Sequence, residues 1–116
     1  MSTLDSDTVL MFTRNGLGDA EPALQQKLAV IYLKLLDEQN VLPAAICFYT
    51  NGVRLAVEGS PALDVLRSLE AKGVRLILCN TCLTAFGLVD QVRVGIVGGM
   101  GDILEAQARA DKVISL

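Results

Sequence analysis

Short, unbroken apolar runs alternate along this chain with longer stretches in which leucine recurs every three or four residues. A strand with one face in water alternates polar with apolar side chains. Runs as solid as "VRLILC" (74–79) or "AAICFYT" (44–50) therefore belong to a sheet covered on both sides. The helix-period stretches between them are the crossovers that parallel strands need. The expected fold is α/β: a three-layer α/β/α sandwich around a mostly parallel five-stranded sheet.

The elements follow from local chemistry. "TVLMFTR" (8–14) reads as a strand stopped by the turn-like "NGLGD" (15–19). A helix is expected from Glu21 or Pro22 to about Gln39, with Leu24, Leu28, Ile31, Leu35 and Leu36 on one face and Pro22 in its first turn. "AAICFYT" is the second strand, closed by Asn51-Gly52. Ser60 and Pro61 suit the N-cap and first position of a second helix, whose buried stripe is Leu63, Leu66 and Leu69 and whose stop is Gly73. "VRLILC" is the third strand and "TCLTAF" (81–86) opens a short helix. "VRVGIV" (92–97) is the fourth strand and "GGMG" (98–101) a turn. A helix from Asp102 to Ala110, capped by Asp102, and the strand "KVISL" (112–116) complete the chain. No internal repeat or linker divides it, so 1–116 is expected to be a single domain, as its 116 residues suit.

In such sheets ligands bind beyond the carboxyl ends of the strands. Four loops fall on that edge: 15–19, 51–54, 79–82 and 98–102, and all are rich in Gly, Asn or Cys. Cys79 ends the third strand or caps the following helix, where unpaired amides favour a thiolate over a thiol. Arg54 could reach it only through the fold. Cys82, three residues on, lies on the same side of the helix, as a resolving thiol or as a core residue beside Leu83 and Phe86. If Cys79 carried a persulfide, a reachable Cys82 thiolate could attack it, forming a disulfide and releasing hydrosulfide. Cys47, in mid-strand, reads as an inert core thiol. Asn15, Gly16, Asn51, Gly52, Asn80, Thr81, Gly99 and Met100 are the expected pocket residues around the thiols. Glu58 reads as a solvated loop charge.

Other chemistries lack their residues. The chain has no histidine, which removes Ser-His and Cys-His dyads and imidazole metal sites, and three cysteines fall short of a four-thiolate zinc site. No metal and no cofactor is expected. "NGLGD" lacks the full G-x-G-x-x-G spacing and no P-loop occurs. A thioredoxin-like site needs a proline after its C-x-x-C, whereas the prolines here are 22, 43 and 61. The net charge of −3, with no Lys/Arg cluster, argues against nucleic acid. No apolar run approaches the roughly 18 residues of a membrane span, and "MSTLDSDTVL" lacks the features of a secretory leader. A cytoplasmic protein is expected, and a chain 52% hydrophobic is expected to cover part of its surface in a homo-oligomer.

The stretch "FYTNGVRLAVEGSPALDVLRSLEAKGVRLILCNTCLTAFGL", followed by "VGIVGGMGDILEA" and "ADKVISL", resembles the DsrE/DsrF-like sulfurtransferase family, closest to the C-terminal domain of YedF-type proteins linked to selenium metabolism. The most specific part is Asn-Gly-Val, then Glu-Gly-Ser, with a C-x-T-C-L motif ending in Phe-Gly-Leu. The resemblance implies a persulfide carrier with sulfane sulfur on Cys79. It also implies assembly into oligomers and a separate sulfur donor of TusA-like or cysteine-desulfurase type. Cys82 is similar to what YedF-like members carry, and Asn80 stands where a glycine is usual. Two other readings stay open: a dithiol redox protein using Cys79 and Cys82, and a non-catalytic oligomeric interaction subunit.

Overall fold

The computed structural model describes residues 7–116; most of the N-terminal stretch read above for a leader lies outside them. Five strands form one sheet: β1 (Thr8–Phe12), β2 (Ala45–Phe48), β3 (Arg75–Cys79), β4 (Ile96–Gly98) and β5 (Lys112–Ser115). Four helices connect them: α1 (Pro22–Glu38), α2 (Leu63–Ala71), α3 (Asn80–Ala85) and α4 (Met100–Arg109). The strand order is β4-β3-β2-β1-β5 and every pairing is parallel. The α/β sandwich expected from the sequence is the observed fold.

Right-handed crossovers dictate the layers. The steps β1 to β2 to β3 to β4 run one way across the sheet, so their helices share a face, and α1 packs on α2. The return from β4 to β5 crosses the whole sheet in the other direction and carries α4 over the opposite face. Register places Met11, Cys47, Ile77 and Ile96 in one row. Gln107 of α4 donates to the Met11 sulfur at 3.5 Å, which marks this as the α4 face. On the other face lie Leu10, Phe12, Ile46, Phe48, Leu76 and Leu78, all buried, with Phe12 and Phe48 stacked at 5.7 Å. β3 and β4 therefore send the chain to opposite faces at their carboxyl ends. Cys79 of β3 pairs with Gly98 of β4 at that divergence.

Several expectations are corrected. Of the expected α1 stripe only Leu36 is buried; Leu24, Leu28, Ile31 and Leu35 do not face the sheet and are 39% to 48% exposed. The buried residues of α1 are Ala29, Leu33 and Leu36, a stripe roughly 140° away around the helix at 3.6 residues per turn. Both stripes are apolar, and the sheet takes the one with Ala29, whose small side chain lets helix and strands approach. Of the α2 stripe, Leu66 and Leu69 are buried with Val65, while Leu63 is partly exposed. That helix starts at Leu63, because Ser60 accepts a hydrogen bond from the Ala62 amide in a turn that precedes it. Gly73 ends it as expected, with φ of 100°. β4 begins at Ile96 and not at Val92, which instead bridges antiparallel to Val57. β2 stops at Phe48, and residues 50–56 form a 3-10 helix where a loop was expected. The two outer strands are largely exposed, so full burial holds for β1, β2 and the inner part of β3.

Candidate functional site: the β3–α3 thiol junction

Cys79 is both the last residue of β3 and the N-cap of α3. It is 1% exposed, so the thiol expected at an open edge lies beneath that edge. α3 runs for six residues only, and the Cys79 side chain makes no capping hydrogen bond to it. The absence of a side chain at Gly98 opposite leaves room for its neighbours: a Cβ there would crowd Asp102 Oδ2 and Ile77 Cγ2.

Cys82 is the partly exposed thiol. Its sulfur lies within hydrogen-bonding reach of the Cys79 side chain and accepts the Thr50 backbone N–H at 3.0 Å. Burial pushes the Cys82 thiol above its ordinary value; the Thr50 amide pulls it back in part, and the hydrogen bond and charge of Cys79 raise it further. Thr50 is a β-branched residue in left-handed backbone, φ 49°, a conformation that costs about 1–3 kcal/mol. Its hydroxyl holds it there, shared between the carbonyls of Thr13 at 2.6 Å and Tyr49 at 2.7 Å. One turn further along the 3-10 segment, the Arg54 guanidinium lies 4.3 Å from the centre of the Phe86 ring, and its Nε donates to Asn51 at 2.9 Å. Cys82 and Phe86 are four apart on α3, so two contacts a turn apart clamp α3 to the segment after β2. Cys47 is fully buried in β2, where burial drives its thiol up to about 11 against the opposing charge of Arg75. It reads as an inert core group.

The expected pocket divides. Asn15 and Asn51 line one cavity of about 530 Å³ with Arg14, Asp19 and Arg54. Asn15 and Arg54 also border a smaller one of about 250 Å³ that reaches Glu58 and Leu88. No cysteine lines either cavity. Gly52 and Gly16 serve close backbone approaches, Gly52 to the Phe12 carbonyl and Gly16 to Gln25. Asn80 and Thr81 are exposed on α3, while Gly99 and Met100 begin α4; none of the four lines these two cavities. Asp102 is not the N-cap expected of it: the helix starts two residues earlier with Gly99 as its N-cap, and Asp102, in the first turn, accepts the Gly99 amide at 2.8 Å. Glu58 pairs with Arg93 at 2.9 Å on the exposed surface. Sequence reasoning missed Thr50 as a partner of Cys82, and it missed the contact of Arg54 with Phe86 that braces the same helix. Thr50 is 32 residues from Cys82, and no spacing rule joins them.

A wholly parallel sheet whose last crossover returns over the opposite face places the chain among doubly wound α/β proteins. The sequence signature of the DsrE/DsrF-like family matches residues 9–116, and the chain belongs to that family. No curated protein matches it. Among solved structures, the ychN protein from E. coli is similar at 17% identity, with a TM-score of 0.66 over 95% of this chain and 99% of that one. MTH1491 from Methanobacterium thermoautotrophicum, described as of unknown function, is 20% identical, with a TM-score of 0.67 over 97% of this chain and 100% of its own. BT1422 from Bacteroides thetaiotaomicron, also described as of unknown function, is 13% identical, with a TM-score of 0.63 over 100% of both chains. These likenesses are of fold. No helix among the described residues is long and apolar enough to cross a membrane.

Proposed function

We propose that this protein is a sulfane-sulfur carrier of the cytoplasm, one DsrE-like domain of the YedF C-terminal type, that holds sulfur as a persulfide on Cys79. The observation that carries the reading is the pair of neighbouring thiols at the β3–α3 junction, one buried at the end of the strand and one partly exposed on the helix. Family membership supports a sulfur-relay role for that junction. The burial of Cys79 suits storage, because a persulfide shielded from solvent is also shielded from soluble thiols that would reduce it. The donor is a separate persulfide-bearing protein of TusA-like or cysteine-desulfurase type. Loading with inorganic polysulfide, followed by intact-mass and peptide mass spectrometry, tests the proposal. Sulfur recovered on Cys79 supports it, and sulfur on Cys47 alone, or nowhere, removes it.

The same pair of thiols favours a second reading, a dithiol redox protein cycling between Cys79–Cys82 disulfide and dithiol. It requires a reversible disulfide with a potential in the cytosolic range; a pair that does not oxidise dismisses it.

The carrier acts as a homo-oligomer through the outer stripe of α1. Leu24, Leu28, Ile31 and Leu35 are spaced four, three and four apart, the same from either end. Two antiparallel copies would set Leu24 against Leu35 and Leu28 against Ile31 twice over, as a two-fold contact requires. The four side chains expose roughly 300 Å² per copy, about as much apolar patch as a monomer leaves open. A stable dimer covers about 800 Å² per partner, so flanking Gln25, Lys27, Tyr32 and Lys34 share the contact. A non-catalytic subunit would use this surface alone, and then Cys79→Ser would leave its cellular role intact.

A further inference from the structure

Cys79 is sealed and Cys82 is partly open, yet the two lie three residues apart across the β3–α3 junction, near enough for Cys79 to act on the Cys82 thiol. A donor that carries its persulfide on a protein or a peptide meets Cys82 first. We propose that Cys82 is the port of the site, taking sulfane sulfur from the donor and passing it inward to Cys79, with Thr50 as the residue that positions it. This rests on the carrier reading and adds the route the sulfur follows.

Two independent features support the port. The first is the difference in exposure between two thiols three residues apart. The second is Thr50, held by its own hydroxyl in a left-handed conformation that aims a backbone N–H at one sulfur and not the other. A residue with no role at Cys82 would not need that geometry, since the turn after β2 could be made with ordinary backbone. Arg54 on Phe86 fixes the far end of the same helical turn and keeps α3 from rotating Cys82 away.

The chemistry balances as two exchanges. In the first, the Cys82 thiolate attacks the outer sulfur of the donor's R–S–SH. A Cys82 S–S bond forms, the donor S–S bond breaks, and the donor leaves as a thiolate that takes up the proton Cys82 has lost. In the second, the Cys79 thiolate attacks the terminal sulfur of the Cys82 persulfide. The new bond forms on Cys79, and Cys82 departs as a thiolate facing the Thr50 amide and recovers the proton from Cys79. Neither step changes the total oxidation state, so no outside oxidant or reductant takes part. Attack on the inner sulfur would instead give the Cys79–Cys82 disulfide and release hydrosulfide, so terminal attack separates a carrier from a releaser.

Time-resolved loading tests the route. Wild type, Cys79→Ser, Cys82→Ser and Cys82→Ala are mixed with glutathione persulfide, quenched by alkylation and mapped by peptide mass spectrometry. In Cys79→Ser, sulfur is expected to stay on Cys82. In both Cys82 variants, sulfur is expected to reach Cys79 at least ten-fold more slowly, with circular dichroism unchanged. If either Cys82 variant is unfolded, the order of labelling in wild type decides, and sulfur on Cys79 before Cys82 overturns the port. Loading of Cys79 at the wild-type rate without Cys82 overturns the port and leaves the carrier standing. Wild type that never gains sulfur overturns both. Thr50→Ala is expected to slow transfer and move the pH profile of Cys82 alkylation upward, and Thr50→Ser to restore both. Identical profiles in the three proteins would remove the positioning role.

Discussion

The same substitution made at two glycines should have opposite effects. At Gly52, in the 3-10 segment after β2, an added Cβ would drive into the carbonyl carbon and oxygen of Phe12. Those are backbone atoms of β1, and the same carbonyl accepts the Tyr49 amide at 3.1 Å. Nothing flexible can give way, so Gly52→Ala must displace the segment from β1. Such overpacking costs about 1–3 kcal/mol, and backbone against backbone puts the cost near the upper end. In urea this lowers the midpoint by roughly 1–2 M at unchanged slope. Gly101, in the first turn of α4, has no atom within 4 Å of its would-be Cβ. There alanine removes backbone freedom from the unfolded chain and should raise stability by about 0.5 kcal/mol. The displaced segment in Gly52→Ala also carries Thr50, so the Thr50–Cys82 hydrogen bond should weaken and Cys82 alkylation should shift to higher pH. Both variants are compared with wild type at one protein concentration, because association couples to stability. A Gly52→Ala midpoint within about 0.3 M of wild type would show that the close approach to Phe12 does not constrain the segment.

Leu33→Ala and Leu35→Ala should separate the two stripes of α1. The buried Leu33 is expected to cost about 2–5 kcal/mol, and the outward Leu35 to leave the unfolding midpoint of the monomer nearly unchanged, by chemical denaturation of dilute protein. Leu28→Lys with Ile31→Lys should shift the protein to monomer in sedimentation velocity without loss of helicity; an unchanged sedimentation coefficient counts against the α1 contact. Cys79→Ala removes two of the effects that raise the Cys82 thiol, so Cys82 should alkylate faster at a given pH than in wild type while still titrating above an ordinary cysteine. Asp37 is held below the usual carboxylate range by hydrogen bonds from Lys72 and Ser68. Its contribution to stability is therefore present above that range and lost as pH falls through it, a dependence that Asp37→Asn should flatten in acid titration.

The sheet was readable because its strands are short and solidly apolar. "VRLILC" has only Arg75 to mark a polar position, and both its strand assignment and the place of Cys79 at its end are met in the structure. α1 was readable as a helix and misleading as a surface. Its two apolar stripes have the same period, and hydrophobicity alone does not say which of them meets the sheet. β4 was placed too early because Val92 and Val94 are apolar. Val92 spends that character on a bridge to Val57, and Val94 is buried without joining the sheet. The contact of Thr50 with Cys82 left no trace in the sequence, since it depends on how the 3-10 segment after β2 and the helix after β3 arrive beside each other.

The position of β1 bears on how the chain is made. It lies between β2 and β5, so one of its edges stays unpaired until residues 112–115 leave the ribosome. Through most of translation a buried, hydrophobic strand offers free amides and carbonyls to any passing neighbour. The nascent protein is thus most prone to aggregate while residues 112–115 are still to come, and the four-residue strand β5 is what closes that window.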